Sequence, residues 1–170
     1  KFLNISKEFV IFEDSKARQL ESIYTEIEGK WEVEIDEHRL IITAKADRIE
    51  ITNDKKVNII DYKTGVVPPK KDVMLGLSPQ LLIEAMITKN LGFKEFTYQE
   101  IGGLIYIKIS SSKPYIQEIC IDINNDAIEE STRGLMKLLR FYLDESFVFY
   151  DSPNKYYAPK YNDYRSLAKN

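Results

Sequence analysis

Residues 79–91 are apolar on nearly every side: Leu81, Leu82, Ile83, Ala85, Met86, Ile87 and Leu91 leave almost no room for a polar face. A helix of that kind is buried. Ser78-Pro79 supplies its start, with serine at the cap and proline in the first turn, and Gly92 supplies its stop. Three polar residues break the apolar surface. Gln80, Glu84 and Thr88 recur every four positions and so make one stripe. If the stripe is buried with the rest, it needs polar partners. A water-filled site against the helix would provide them; a stripe facing solvent is the plainer alternative.

The segments around this helix read as strands. Residues 26–36 and 39–51 alternate, and Asp36-Glu37-His38 between them reads as a hairpin turn. A turn at Asn53-Asp54-Lys55 leads into a third strand, Val57 to Lys63. Residues 64–71 are a loop by composition. Further strands are expected at about 96–110 and 114–122. Residues 13–25 are expected to be helical, with Asp14 or Ser15 at the cap and Ala17, Leu20 and Tyr24 as the apolar stripe. A long helix from Asp126 to about Ser146 opens on a capping-box-like Asp126/Glu129 pair and would bury Ile128, Leu135, Leu139 and Tyr142. The order is helix, three strands, helix, two strands, helix, which makes an α/β domain with a mixed sheet.

The third strand carries the chemistry. Strand side chains alternate, so Val57, Ile59, Asp61 and Lys63 share a face. A carboxylate and an ammonium at the end of an apolar strand are costly unless paired or functional. In the preceding strand the same rule groups Ile41, Thr43, Lys45, Asp47 and Ile49. If the two strands pair as a hairpin, Asp47 can sit beside Asp61. Two adjacent carboxylates repel, and a Mg²⁺ between them removes that penalty; this ion typically takes only one or two protein carboxylates. A nearby lysine can then orient the attacking water or stabilise transition-state charge. A simple Asp61–Lys63 ion pair at a strand end, with Asp47 as a surface acid, is the alternative that spacing alone leaves open.

Three ordered segments then carry a resemblance: Ala44-Lys45-Ala46-Asp47-Arg48-Ile49-Glu50, Ile59-Ile60-Asp61-Tyr62-Lys63-Thr64-Gly65, and Gly76-Leu77-Ser78-Pro79-Gln80-Leu81-Leu82-Ile83-Glu84-Ala85. Together they resemble the PD-(D/E)XK nuclease domain, and within it the RecB/AddB branch. The last segment and the tail Asp163-Tyr164-Arg165-Ser166-Leu167-Ala168 are most similar to the C-terminal part of alphaproteobacterial-type AddB subunits of helicase–nucleases. The resemblance implies a restriction-endonuclease-like mixed sheet flanked by helices. It implies a DNA exonuclease in double-strand break repair and recombination, dependent on Mg²⁺, or Mn²⁺ in vitro, with an AddA-like partner subunit. Asp47, Asp61 and the Tyr62 carbonyl would bind the metal. Lys63, Asp61 and Gln80 would be catalytic, and Glu84, where many relatives carry tyrosine, would support them from behind. The family's upstream helix with its Gly-x-x-x-His motif has no match here, and His38, in an expected turn, does not replace it. A chain that begins with Lys1 is then read as a single domain, residues 1–170, cut from the C-terminal part of a larger protein. A catalytically silent domain that binds DNA or a helicase partner is the alternative.

The remaining signals are weaker. The formal net charge of −3 argues against a protein that simply coats nucleic acid. DNA contacts would therefore be local, with Lys70, Lys71 and Arg48 as candidates. The tyrosine-rich tail from Phe147 is expected to pack across the domain. Cys120 is expected to be a core thiol, and a lone cysteine excludes an intrachain disulfide and a thiolate zinc cluster. No apolar run approaches the roughly 18 residues of a membrane span, and no signal peptide is visible, so a cytoplasmic location is expected.

Overall fold

A computed structural model describes residues 2–144. The element order is α1 (Phe2–Ala17), β1 (Leu20–Ile35), β2 (His38–Thr52), β3 (Val57–Lys63), α2 (Lys70–Met74), α3 (Gln80–Lys89), β4 (Ile101–Ile109), β5 (Ile116–Ile121) and α4 (Asn125–Leu143). The strands form one mixed sheet in the order β1-β2-β3-β4-β5. Only β3 and β4 run parallel; the other neighbours are antiparallel. The fold is the α/β, restriction-endonuclease-like architecture expected.

The apolar helix explains the main core. Leu81, Leu82, Ala85, Met86 and Ile87 of α3 bury against Ile49, Ile51, Val57, Ile59 and Leu104 of the central strands. The other face of the sheet, with Ile60, Ile105 and Ile107, is covered more thinly by Phe12 of α1. No residue of α1 is fully buried.

Several expectations are corrected. The helix expected at 13–25 ends at Ala17, and β1 begins at Leu20. The spacing of Ala17, Leu20 and Tyr24 suits a helix, but the segment pairs instead with β2, with Tyr24 opposite Ile49 and Thr25 opposite Arg48. Pairing and burial override local preference there. His38 is the first residue of β2 rather than part of the turn. The strand expected from about residue 96 begins at Ile101. Asn124, not Asp126, caps α4, its side chain accepting from the Ala127 N–H. Of the apolar face expected on α4, Ile128 is fully buried, Leu135 and Leu139 are half-buried and Tyr142 is exposed. Cys120 is exposed: on the edge strand β5 the alternation turns Ile119 and Ile121 to the core and Cys120 away from it. Residues beyond 144, including the end expected for α4 at Ser146 and the tyrosine-rich tail, lie outside the described residues.

Gly92 serves a purpose other than the expected one. The left-handed residue at the end of α3 is Leu91, at φ +55°. Gly92 is there because the chain passes against β1: the Lys30 N–H donates to its carbonyl at 3.0 Å. A Cβ on Gly92 would lie 2.3 Å from the Lys30 carbonyl oxygen and 2.5 Å from Ile87 Cγ2. Gly92→Ala is therefore expected to cost about 1–3 kcal/mol in urea unfolding. Gly65→Ala, where a Cβ meets nothing within 4 Å, should stay within about 0.5 kcal/mol of the parent. Equal losses at the two glycines would refute the close-approach account.

Candidate active site

The pairing of β2 with β3 runs through Arg48–Ile60, Ile49–Ile59, Glu50–Asn58 and Ile51–Val57. Continued by one residue, that register sets Asp47 against Asp61. The Tyr62 backbone N–H donates to Asp47 Oδ2 at 3.2 Å, so the Asp47 carboxylate reaches the end of β3. Asp61 is buried and Lys63 is half-buried, with Lys63 Nζ 2.6 Å from Asp61 Oδ2. The structure thus brings Asp47, Asp61, Tyr62 and Lys63 together.

Simple alternation does not carry Asp47 there. Ala46 and Ile49 are both fully buried although three residues apart, so the two-residue period breaks between them. Glu26, which stands opposite Asp47 in the β1 register, has φ +55°, and the two residues are missing from the ladder's pairs. Below this break Ile42 and Ala44 pack on the core while Thr43 and Lys45 are exposed. The grouping of Ile41, Thr43 and Lys45 with Ile49 is therefore overturned. Irregularities of this kind re-aim a side chain, and they concentrate beside sites.

Helix α3 closes the site from the core side. Gln80 is exposed at its first residue, and Glu84 one turn later is fully buried. Neither Glu84 carboxylate oxygen has a hydrogen-bond partner among the described residues. Burial pushes the Glu84 pKa up to about 8; the Gln80 amide and Lys63 act in the opposite direction, and the charges of Asp61 and Asp47 reinforce the rise. Burial raises Asp61 as well, against the pull of Lys63 and Gln80 and with help from Asp47. Thr88, the third member of the stripe, is buried and satisfied within the helix, its hydroxyl donating to the Glu84 carbonyl at 2.9 Å.

Tyr106 joins this group without having been singled out from the sequence. It pairs with Asp61 across the parallel β3–β4 ladder and is almost fully buried. Lys63 Nζ lies 5.8 Å from the centre of its ring. Burial first, then the charges of Asp61 and Glu84, push its hydroxyl pKa to about 12. A tyrosine inside Leu104-Ile105-Tyr106-Ile107 is the only trace in the sequence, and it gains meaning only once β4 is known to lie beside β3.

The candidate nucleic-acid contacts divide. Lys70 and Lys71 are exposed on α2, and Lys70 reaches Asp122 at 3.2 Å. Arg48 is a correction: it is 5% exposed and sits on the far face of the sheet. Its guanidinium donates to both Glu13 oxygens at 2.8 and 2.9 Å and to the Tyr62 hydroxyl at 3.1 Å, and lies 2.7 Å from Glu50. Burial works against its charge, but Glu13, Tyr62 and Glu50 more than offset this and raise its pKa. Held in that way, Arg48 cannot reach a phosphate.

Among the described residues no three His, Cys, Asp or Glu side chains converge as a metal-binding group. What meets at the end of β3 is a pair of aspartates, Asp47 and Asp61. Two carboxylates fit a hard divalent ion that keeps much of its water better than zinc, which takes three or four histidine, cysteine or carboxylate side chains. No helix among the described residues is long and apolar enough to cross a membrane.

An uncharacterized protein of Rickettsia bellii is 36% identical over 98% of this chain, which corresponds to 21% of that relative. An uncharacterized protein of Rickettsia typhi is 30% identical over 99% of this chain and 24% of its own length. The chain thus spans about a fifth to a quarter of the length of these relatives. The crystal structure of SSO0001 is similar in part, with a TM-score of 0.46 and 18% identity over 85% of this chain and 59% of that one. The family model of the PD-(D/E)XK nuclease superfamily matches residues 6–155, and the chain belongs to that superfamily.

Proposed function

We propose that this domain hydrolyses DNA phosphodiester bonds as an exonuclease, with Mg²⁺ as its ion and Mn²⁺ as a substitute in vitro. The observation that carries the reading is the meeting of Asp47 with the end of β3, where Asp61 lies 2.6 Å from Lys63. Asp47, Asp61 and the Tyr62 carbonyl hold the ion. When bound, it polarises the phosphate and makes water a better nucleophile. Lys63 is half-exposed at the mouth of the site and orients the attacking water or offsets charge building on the phosphate. Gln80 steadies the carboxyls from the exposed start of α3. Lys70 and Lys71 take backbone phosphates, a local contact that suits a chain of net charge −3.

The relatives' greater length supports the reading that the domain works inside a larger protein. The AddB-like motifs favour a helicase–nuclease with an AddA-like partner, acting in double-strand break repair and recombination. The test is direct. The purified chain with Mn²⁺ should degrade single-stranded DNA, and Asp61→Ala and Lys63→Ala should each lower the rate by about 100-fold or more. Undiminished activity in both variants would remove the assignment.

A further inference from the structure

Glu84 has no place in the ligand set just described, yet it is the most anomalous polar group of the site. It is fully buried, neither oxygen has a well-formed hydrogen bond among the described residues, and the Gln80 amide and the charges of Asp61, Asp47 and Lys63 act on it. A buried carboxyl with nothing to bind is costly, and folded proteins hold few of them. Among the described residues no cation is paired with it. Lys63 lies 2.6 Å from Asp61, and Gln80 and the buried Tyr106 of β4 are neutral. With all three acids ionised, three carboxylates face one ammonium. The unmatched charge equals that of one divalent cation.

We propose that Glu84 is a third carboxylate of the cation site, set behind the Asp47–Asp61 pair and acting on the ion from beyond direct contact. The proposal rests on reading the Asp47–Asp61 pair as a cation centre. A hard ion that keeps its hydration shell can be reached by an acid that does not touch it. Partners beyond the direct ligands tune affinity strongly, commonly by about 10–100-fold.

Calorimetric titration of the metal-free chain with Mn²⁺ tests this without any activity measurement. Glu84→Gln keeps the shape and removes the charge, and it should bind Mn²⁺ about 10–100-fold more weakly than the parent. Asp61→Asn should weaken binding at least as much. Unchanged affinity in Glu84→Gln alongside lost affinity in Asp61→Asn overturns the role of Glu84 and leaves the cation centre standing. Absence of Mn²⁺ binding in the parent overturns both. Should Glu84→Gln not fold, as judged by circular dichroism, Glu84→Leu, which also removes the charge, replaces it: weaker Mn²⁺ binding supports the proposal, and parental affinity overturns it.

Discussion

Replacing Arg48 with methionine should lower the unfolding free energy by about 3–5 kcal/mol. The reason is Glu50, which is fully buried and lies 2.7 Å from the Arg48 guanidinium. Without Arg48 its nearest cation is Lys16, at 3.6 Å, and Lys16 is also drawn to Glu118 at 2.6 Å. An isolated buried charge costs far more than the pair it came from, because its desolvation is no longer offset. The same substitution frees Glu13, which together with Lys16 ties α1 to the sheet. Since α1 buries no residue completely, these ion pairs carry much of its attachment. Urea unfolding followed by circular dichroism measures the loss. The companion variant, Arg48→Met with Glu50→Leu, removes both charges and should recover much of the stability. A single Arg48→Met variant that loses under about 1 kcal/mol would show that the cluster does not hold the domain together.

The two sides of β2 also show what a sequence can and cannot reveal. Helix α3 was legible because its apolar residues leave no exposed face, and β3 because an aspartate and a lysine end an otherwise apolar run. Their meeting with Asp47 followed from a two-strand hairpin, a local connection. What escaped depended on contacts distant in the chain. Arg48 reads as a candidate DNA contact, yet on a strand it shares with Glu50 the face opposite Ile49, and α1 closes over that face from 35 residues away. Tyr106 enters the site only through the parallel β3–β4 pairing, which α2 and α3 separate in sequence. The break at Asp47 leaves no mark at all: Glu26, which takes the left-handed conformation opposite it, is not a glycine or an asparagine. The start of β1 departs from the helical expectation for a related reason. Leu20 and Tyr24 sit at a helical spacing, and only the partner strand decides between the two periods.

Without metal, the protein should lose stability as the pH rises from about 4.5 to about 8. Glu84 sets this window. Its carboxyl has an ordinary value of 4.5 and is pushed to about 8 in the folded state, by burial above all and by the charges of Asp61 and Asp47. Across that interval the folded protein keeps a proton that the unfolded chain has released, so rising pH favours unfolding. The stability is fully present below 4.5 and is lost once the folded-state value has been passed. Asp61 is raised too, chiefly by burial, and adds to the slope in the same direction. The lowered carboxyls, Glu32 beside Arg39 and Lys30 and Asp54 beside Thr52, act the other way, but they are exposed and change protonation below the window. A rise of this size at Glu84 corresponds to a stability change on the order of a few kcal/mol. Urea midpoints in EDTA, measured from pH 5 to pH 8.5, should therefore fall steadily in the parent chain. Glu84→Gln, which cannot ionise, should lose most of that slope and hold its advantage at the alkaline end. Parallel profiles for parent and variant would mean that Glu84 is ionised throughout, and that Lys63 and Gln80 already compensate it in the absence of an ion.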